Sequence, residues 1–432
     1  MAVVKPFAGV RYNPEKVNLD EVVAPPYDVI SEEEQERLYQ SSPYNVVRLI
    51  LGKIYEENNE GQNRYTRAKE YLDNWLSEGV LIKDSPAFYF IEQEYTLETG
   101  RRLKRKGFIG RVKLEELGAG VKPHERTLDA PKEDRFKLMQ AVEGNLSPVF
   151  SLYKDPDLTL EKKWESLGEP DFSFIDTAGI PTKVWVIRDE EMVRLVEDTL
   201  ADKKLFIADG HHRYETALNF KKYYRSKYNI PENEDHPVDY VMMYLVNSED
   251  EGLLILPTHR LLHSLGNRRG ILLERLSEHF KLRKADIDLD TPIERIYELL
   301  DRSDAPFILM TGEGSFEVIP EKETVERLLS DLPEPLRKLN VNLLHRGILE
   351  KLLGITMEEQ AKQRNIIYIK ELKKGIEFLK EGKGDFLFLM KPLAMEDVES
   401  VTSIGERMPQ KSTFFYPKIP SGIVFYLFKL NQ

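Results

Sequence analysis

The stretch Leu205-Phe206-Ile207-Ala208-Asp209-Gly210-His211-His212-Arg213-Tyr214-Glu215-Thr216-Ala217 constrains this chain more than any other segment. An apolar run stops at Asp-Gly, and from Arg213 the pattern becomes helical, with Tyr214, Ala217 and Leu218 on one face. The segment is predicted to be a strand, a tight turn and the start of a helix. The first amides of such a helix lack intrahelical acceptors and stand at the positive end of its dipole, so the turn suits an anion. Gly210 removes the Cβ that would block a phosphate, and His211, His212 and Arg213 add donors. Asp209 would repel a bare phosphate; it fits a Mg²⁺ ligand or the partner that orients a histidine. Asp-Gly is also an ordinary turn, with Asp209 as a plain cap. Two histidines and an arginine in that one turn, in a chain with 8 His among 432 residues, favour function.

Composition narrows the chemistry. Without cysteine there is no disulfide, thiolate zinc site or cysteine nucleophile, and any metal must use His, Asp, Glu or water. A net charge of −12 argues against sequence-independent nucleic-acid binding, which needs a basic face. No run approaches the roughly 18 apolar residues of a membrane span. The first ten residues carry no apolar signal region, so a cytoplasmic protein is expected, with homo-oligomerisation open. The length implies roughly two to three domains. The expected division is residues 1–155, an N-terminal lobe contributing site loops; 156–265, the core with the Asp-Gly-His-His-Arg loop; and 266–432, a helix-rich C-terminal α/β lobe.

Along the chain, Pro25-Pro26 fixes an extended backbone that presents Tyr27 and Asp28 just before a helix opened by Ser31. Residues 43–52 read as a strand, with Arg48 among apolar neighbours, either paired with a carboxylate or phosphate or an ordinary exposed position on an alternating strand. Residues 61–78 predict an amphipathic helix with Ala68, Leu72, Trp75 and Leu76 inward. Residues 88–97 and 106–112 predict a hairpin. After it comes Pro123-His124-Glu125-Arg126, three ionisable groups in a row that no periodic pattern would bury or display together. Strands at 183–187, 205–208 and 240–246, alternating with helices, indicate a mixed α/β core. His259 follows a buried strand, a position from which residues often face ligand. Near the end, residues 408–418 combine Lys411, two hydroxyls and three aromatics on a loop leading into a strand.

These motifs together, Ala24-Pro25-Pro26-Tyr27-Asp28-Val29-Ile30-Ser31, Pro123-His124-Glu125, Asn145-Leu146-Ser147-Pro148-Val149, Asp209 to Ala217 and Met408 to Pro417, resemble the DUF1015 family nearly end to end. The Gly-His-His-Arg turn is also similar to the phosphate loops of sulfiredoxin and ParB, with His211 where sulfiredoxin has cysteine. Free serine kinases of that superfamily carry a similar Asp-Gly-His loop. The resemblance implies a ParB/sulfiredoxin-like nucleotide-binding core with additional α/β lobes. It also implies ATP-dependent phosphorylation of free L-serine to O-phosphoserine, whereas sulfinic acid repair lacks its thiol.

A kinase needs held phosphates, a divalent metal, cations for developing charge and a carboxylate to take the hydroxyl proton. On this reading residues 210–213 hold the phosphates of ATP or ADP and Asp209 holds Mg²⁺. Arg213 with His211 or His212 meets the transition-state charge. Glu125, beside His124, takes the proton, with Asp28 a second candidate base. Arg48 or Arg126 binds the substrate carboxylate, with His259 and Lys411 as further substrate contacts. Two alternatives stand beside it. One is a phosphohydrolase using metal bound by His124, Glu125, His211, His212 and His259. The other is a nucleotide-dependent switch without turnover.

Overall fold

The computed structural model describes residues 2–56, 58–59, 61–125, 129–409 and 411–431. Nine strands build the first sheet: β1 Val4–Lys5, β2 Phe88–Thr96, β3 Arg102–Lys113, β4 Val121–Lys122, β5 Val149–Tyr153, β6 Phe172–Ile175, β7 Pro181–Ile187, β8 Leu205–Asp209 and β9 Tyr240–Asn247. Their order is β4-β8-β5-β9-β3-β2-β7-β6, with β1 pairing on β3. The β4–β8 and β5–β9 pairs are parallel and the others antiparallel. All residues of β5 and β9 are buried, as expected of unbroken apolar runs in strands covered on both faces. Helices α1 Arg64–Ser77, α2 Asp129–Val142, α3 Glu190–Leu200 and α4 His211–Tyr228 belong to this body. The α2–α4 packing is aromatic, with Phe136 edge-on to Phe220 and Tyr223.

Six antiparallel strands form a second sheet: β10 His259–Leu262, β11 Phe280–Ala285, β12 Phe307–Thr311, β13 Gly314–Pro320, β14 Ile366–Ile369 and β15 Phe386–Met390, in the order β11-β13-β12-β15-β10-β14. The period of two is plain in β12. Phe307 and Leu309 pack with Leu272, Leu276 and Ile348 on one side, while Ile308 and Met310 pack with Ile296, Leu300 and Ile376 on the other. The chain then returns to the first body: Phe414–Tyr416 pairs with Leu254–Leu256, and Phe415, Ile419, Tyr426 and Phe428 join its core. No helix among the described residues is long and apolar enough to cross a membrane.

The fold is mixed α/β, as the alternation of strands and helices implies. Two readings are corrected. Residues 1–155 and 156–265 are not separate lobes, since the first sheet interleaves strands from both; and β10 moves the start of the second body to 259. Residues 43–52 are not a strand but contain the helical turn Val47–Ile50. The cause is buried Asn45, whose Oδ1 accepts from Val47 N–H (2.9 Å) while its Nδ2 donates to the Glu21 (2.7 Å) and Val23 (3.2 Å) carbonyls. Such side-chain bonds compete with a ladder.

Candidate functional site

The site is built where β8 runs into α4. The register slips between Ile207 and Asp209, a bulge that re-aims the end of the strand. Gly210 follows with φ 90°, the left-handed conformation that glycine adopts without strain, and caps the helix. A Cβ there would lie 2.8 Å from Arg213 Nε. Arg213 itself folds back, Nη1 donating to the Pro148 carbonyl and Nη2 lying 3.7 Å from Asp209. The Asn-Leu-Ser-Pro motif is thereby tied to the turn.

Asp209 does not stand alone. Lys418 Nζ donates to its Oδ2 at 2.6 Å. Burial opposes ionisation, but Lys418, Arg213 and then His211 hold the carboxyl well below the usual carboxylate range. Lys418 reaches this position because the C-terminal segment lies back over the first body. Phe414 sits between two ammonium groups, Lys370 Nζ 4.3 Å and Lys418 Nζ 5.0 Å from its ring centre. Lys370 comes from the second body, just after β14. Desolvation, then Lys418 and Lys411, push its ammonium down to about 8 against the pull of Asp28 and Asp209. A lysine whose charge is depressed by two neighbouring lysines is set to receive an anion.

Behind the turn the histidines have assigned roles. The His124 amide donates to His211 Nε2 (3.2 Å), so His211 carries its proton on Nδ1. Burial, then His124, push His211 down to about 3, and the ring is neutral. His124 Nδ1 donates to the Ile207 carbonyl at 2.6 Å, which leaves Nε2 facing Thr413 Oγ1 at 2.8 Å. The same hydroxyl lies 3.3 Å from Glu125 Oε1. Burial raises the Glu125 pKa, yet His124, His211 and Lys411 bring it below the ordinary value, so it is a carboxylate at neutral pH. His124, Thr413 and Glu125 thus form a continuous proton path. The backbone fastens it, since Met408 N–H donates to the His124 carbonyl (2.7 Å). His212 is half-buried, its pKa lowered by burial and pulled up by Glu215 and Asp28. Asp28, in the turn Tyr27–Val29, lies close enough for its charge to act on both His212 and Lys370.

The substrate residues named from sequence fare differently. Lys411 has φ 59° and its carbonyl is held by Arg260 Nη2 (3.0 Å), and its charge acts on Glu125. Arg48 is directed elsewhere: its guanidinium stacks on Tyr39 (4.3 Å) and donates to that residue's carbonyl (2.7 Å). His259 is buried in β10, where Nδ1 accepts from the Met390 amide (3.1 Å), and burial pushes it down to about 3. It belongs to the second sheet, not to the turn. Arg126 lies outside the described residues. Among those residues no three His, Asp or Glu side chains are grouped to hold a metal, so the five-residue hydrolase set is not assembled. Sequence reading missed Lys418, Lys370, Thr413 and Arg260. Thr413 and Lys418 stood in a stretch marked for its hydroxyls and cations, whereas Lys370 and Arg260 carried no local signal.

Fold and site define a two-body mixed α/β protein whose capped helix start meets lysines from both bodies. Residues 4–342 match the family described as a protein of unknown function, DUF1015, and the chain belongs to that family. No curated protein matches it. Among solved structures, it is similar to a free serine kinase variant in complex with AMP (TM-score 0.35, 14% identity, covering 70% of this chain and 89% of that one). It is also similar to a conserved hypothetical protein from Pyrococcus furiosus (TM-score 0.36, 16% identity, 72% and 94% coverage). A third likeness is to C-terminally truncated SbnI from Staphylococcus aureus (TM-score 0.35, 10% identity, 75% and 89% coverage).

Proposed function

We propose that this protein is a nucleotide-dependent small-molecule phosphotransferase, with ATP or ADP as donor and L-serine as the first acceptor to test. The observation that carries the reading is the meeting of Lys418 and Arg213 at Asp209, beside the Gly210-capped start of an 18-residue helix, with the charge of Lys370 also felt there. That set suits a polyphosphate, with the helix amides on one side and the lysines on the other. Asp209 fits the one-carboxylate contact through which Mg²⁺ is often held beside substrate phosphates, and the ion would supply charge neutralisation there. Glu125 is ionised and, with its side chain 20% exposed, within reach of a hydroxyl proton. The acceptor oxygen bonds to the terminal phosphorus as the bridging P–O bond breaks, and its proton passes to Glu125. From there Thr413 can relay it to His124 Nε2, whose Nδ1–H is already held by Ile207.

The test is incubation with ATP or ADP, Mg²⁺ and a panel of hydroxylated acceptors, reading products by mass spectrometry. Phosphorylated product that depends on acceptor and disappears in Glu125→Gln, with nucleotide binding kept, is the expected result. Nucleotide hydrolysis independent of acceptor, or binding without turnover, would overturn it.

A further inference from the structure

A second concavity adjoins the proton path. It holds 470 Å³ between the second body and the residues Arg407, Pro409 and Lys411, with Leu332, Leu336, Met357 and Tyr368 among its other walls. Its polar backing is internally satisfied. Gln360 Nε2 donates to the His345 (3.1 Å) and Ile355 (2.8 Å) carbonyls, its Oε1 accepts from His345 Nδ1 (2.6 Å), and His345 Nε2 accepts from Arg260 Nε (3.1 Å). Tyr368 lies parallel to the His345 ring, 6.2 Å away. The wall is therefore preformed, and it offers a ligand mainly apolar and aromatic faces, with Arg346 Nε a buried donor left without a partner among the described residues.

Charge adds the polar end. In a chain of net charge −12, no carboxylate among the described residues lines this cavity. Arg346 is neutralised by Asp331 (2.7 Å) and Glu350 (2.8 Å), and Arg407 lies 3.6 Å from Glu215. Lys411 has no carboxylate within ion-pair distance among the described residues, and its charge acts on both Glu125 and Lys370. Tyr368 also feels Glu125. Glu125 bridges to Met408, whose neighbours Arg407 and Pro409 line the cavity, so the proposed base and the cavity are adjacent. Its volume falls within the roughly 300–1,000 Å³ of sites for drug-sized ligands, and free serine would leave most of it empty.

We infer that this cavity holds the acceptor, a hydroxy carboxylate bearing an apolar substituent, with its carboxylate on Lys411 and its apolar body against Met357, Leu336 and Tyr368. The inference rests on the phosphotransferase reading for the role of Glu125, but the cavity's occupancy can be measured without turnover. The full chain is titrated calorimetrically with L-serine and with N-octanoyl-L-serine, each with and without AMP. The octanoyl compound is expected to bind at least about ten-fold more tightly than serine, additively with AMP, because its methylenes leave water. Met357→Trp, which fills the cavity, and Lys411→Met should each cost it about ten-fold or more while AMP affinity in Met357→Trp stays unchanged. Equal affinity for the two compounds, competition with AMP, or indifference to Met357→Trp in a variant that still binds AMP overturns the assignment. Tight octanoyl-serine binding without product in ATP and Mg²⁺ leaves the cavity standing and sinks the phosphotransferase. Serine phosphorylation unaffected by Met357→Trp, with no octanoyl-serine binding, does the reverse.

Discussion

Lys418→Met removes the cation nearest Asp209 and tests the geometry at its centre. The two side chains are 22% and 18% exposed, and the contact is 2.6 Å. Breaking a fully buried pair costs about 3–5 kcal/mol, and a surface pair contributes at most about 1, so this one should fall near 2 kcal/mol. That is about thirty-fold in the folded-to-unfolded ratio. All 3 tryptophans, Trp75, Trp164 and Trp185, lie in the first body, so urea unfolding followed by fluorescence reports on the body that holds Asp209. Asp209→Asn and the double variant complete the cycle, with an expected coupling of about 1–2 kcal/mol at pH 7. The pH dependence has a definite sign. Asp209's folded pKa is depressed below the ordinary 3.8, so its stabilisation is complete above that value. It is lost as pH falls through the lower, folded value. The gap between wild type and Lys418→Met should be flat from about pH 5 to 7 and narrow below about 4. A coupling under about 0.5 kcal/mol, or a gap that widens on acidification, would refute the reasoning.

Gly210→Ala forces a side chain into a φ of 90° and sets its Cβ against Arg213, so it should cost about 1–2 kcal/mol in urea and weaken phosphate binding measured by calorimetry. AMP affinity should fall as pH rises through about 8, where Lys370 loses its proton, and Lys370→Met should bind more weakly at pH 7 with a flat profile over that range. Thr413→Val should shift the His124 Nε2 resonance in ¹⁵N NMR and lower turnover, whereas Thr413→Ser, which keeps the hydroxyl, should restore both.

Local patterns in the sequence carried local structure well. The strand–turn–helix at 205–217, the hairpin around Gly100 and the apolar strands at 240–246 and 386–390 are present because period and glycine placement determine them. What escaped depends on distance along the chain. Asn45 overturned the strand at 43–52 through bonds to carbonyls over twenty residues upstream. Lys418 meets Asp209 across 209 positions, and Lys370 approaches from another sheet, so neither pairing leaves a trace in spacing. His259 misled for the opposite reason: it reads as following a strand of the first α/β core, but it opens β10, whose register joins it to Ile369 in the second sheet.

The return of residues 414–428 to the first body makes the order of synthesis matter. Strand β5 and helix α4 emerge early, yet the apolar faces that Phe415, Ile419 and Phe428 cover stay open while the whole second sheet is made. Asp209 likewise waits for Lys418. A ribosome-bound chain that has finished the second body still exposes hydrophobic surface in the first and leaves Asp209 with Arg213 alone, the state in which nascent chains aggregate or recruit chaperones. The Asp209–Lys418 pair therefore forms only after the second body has been made.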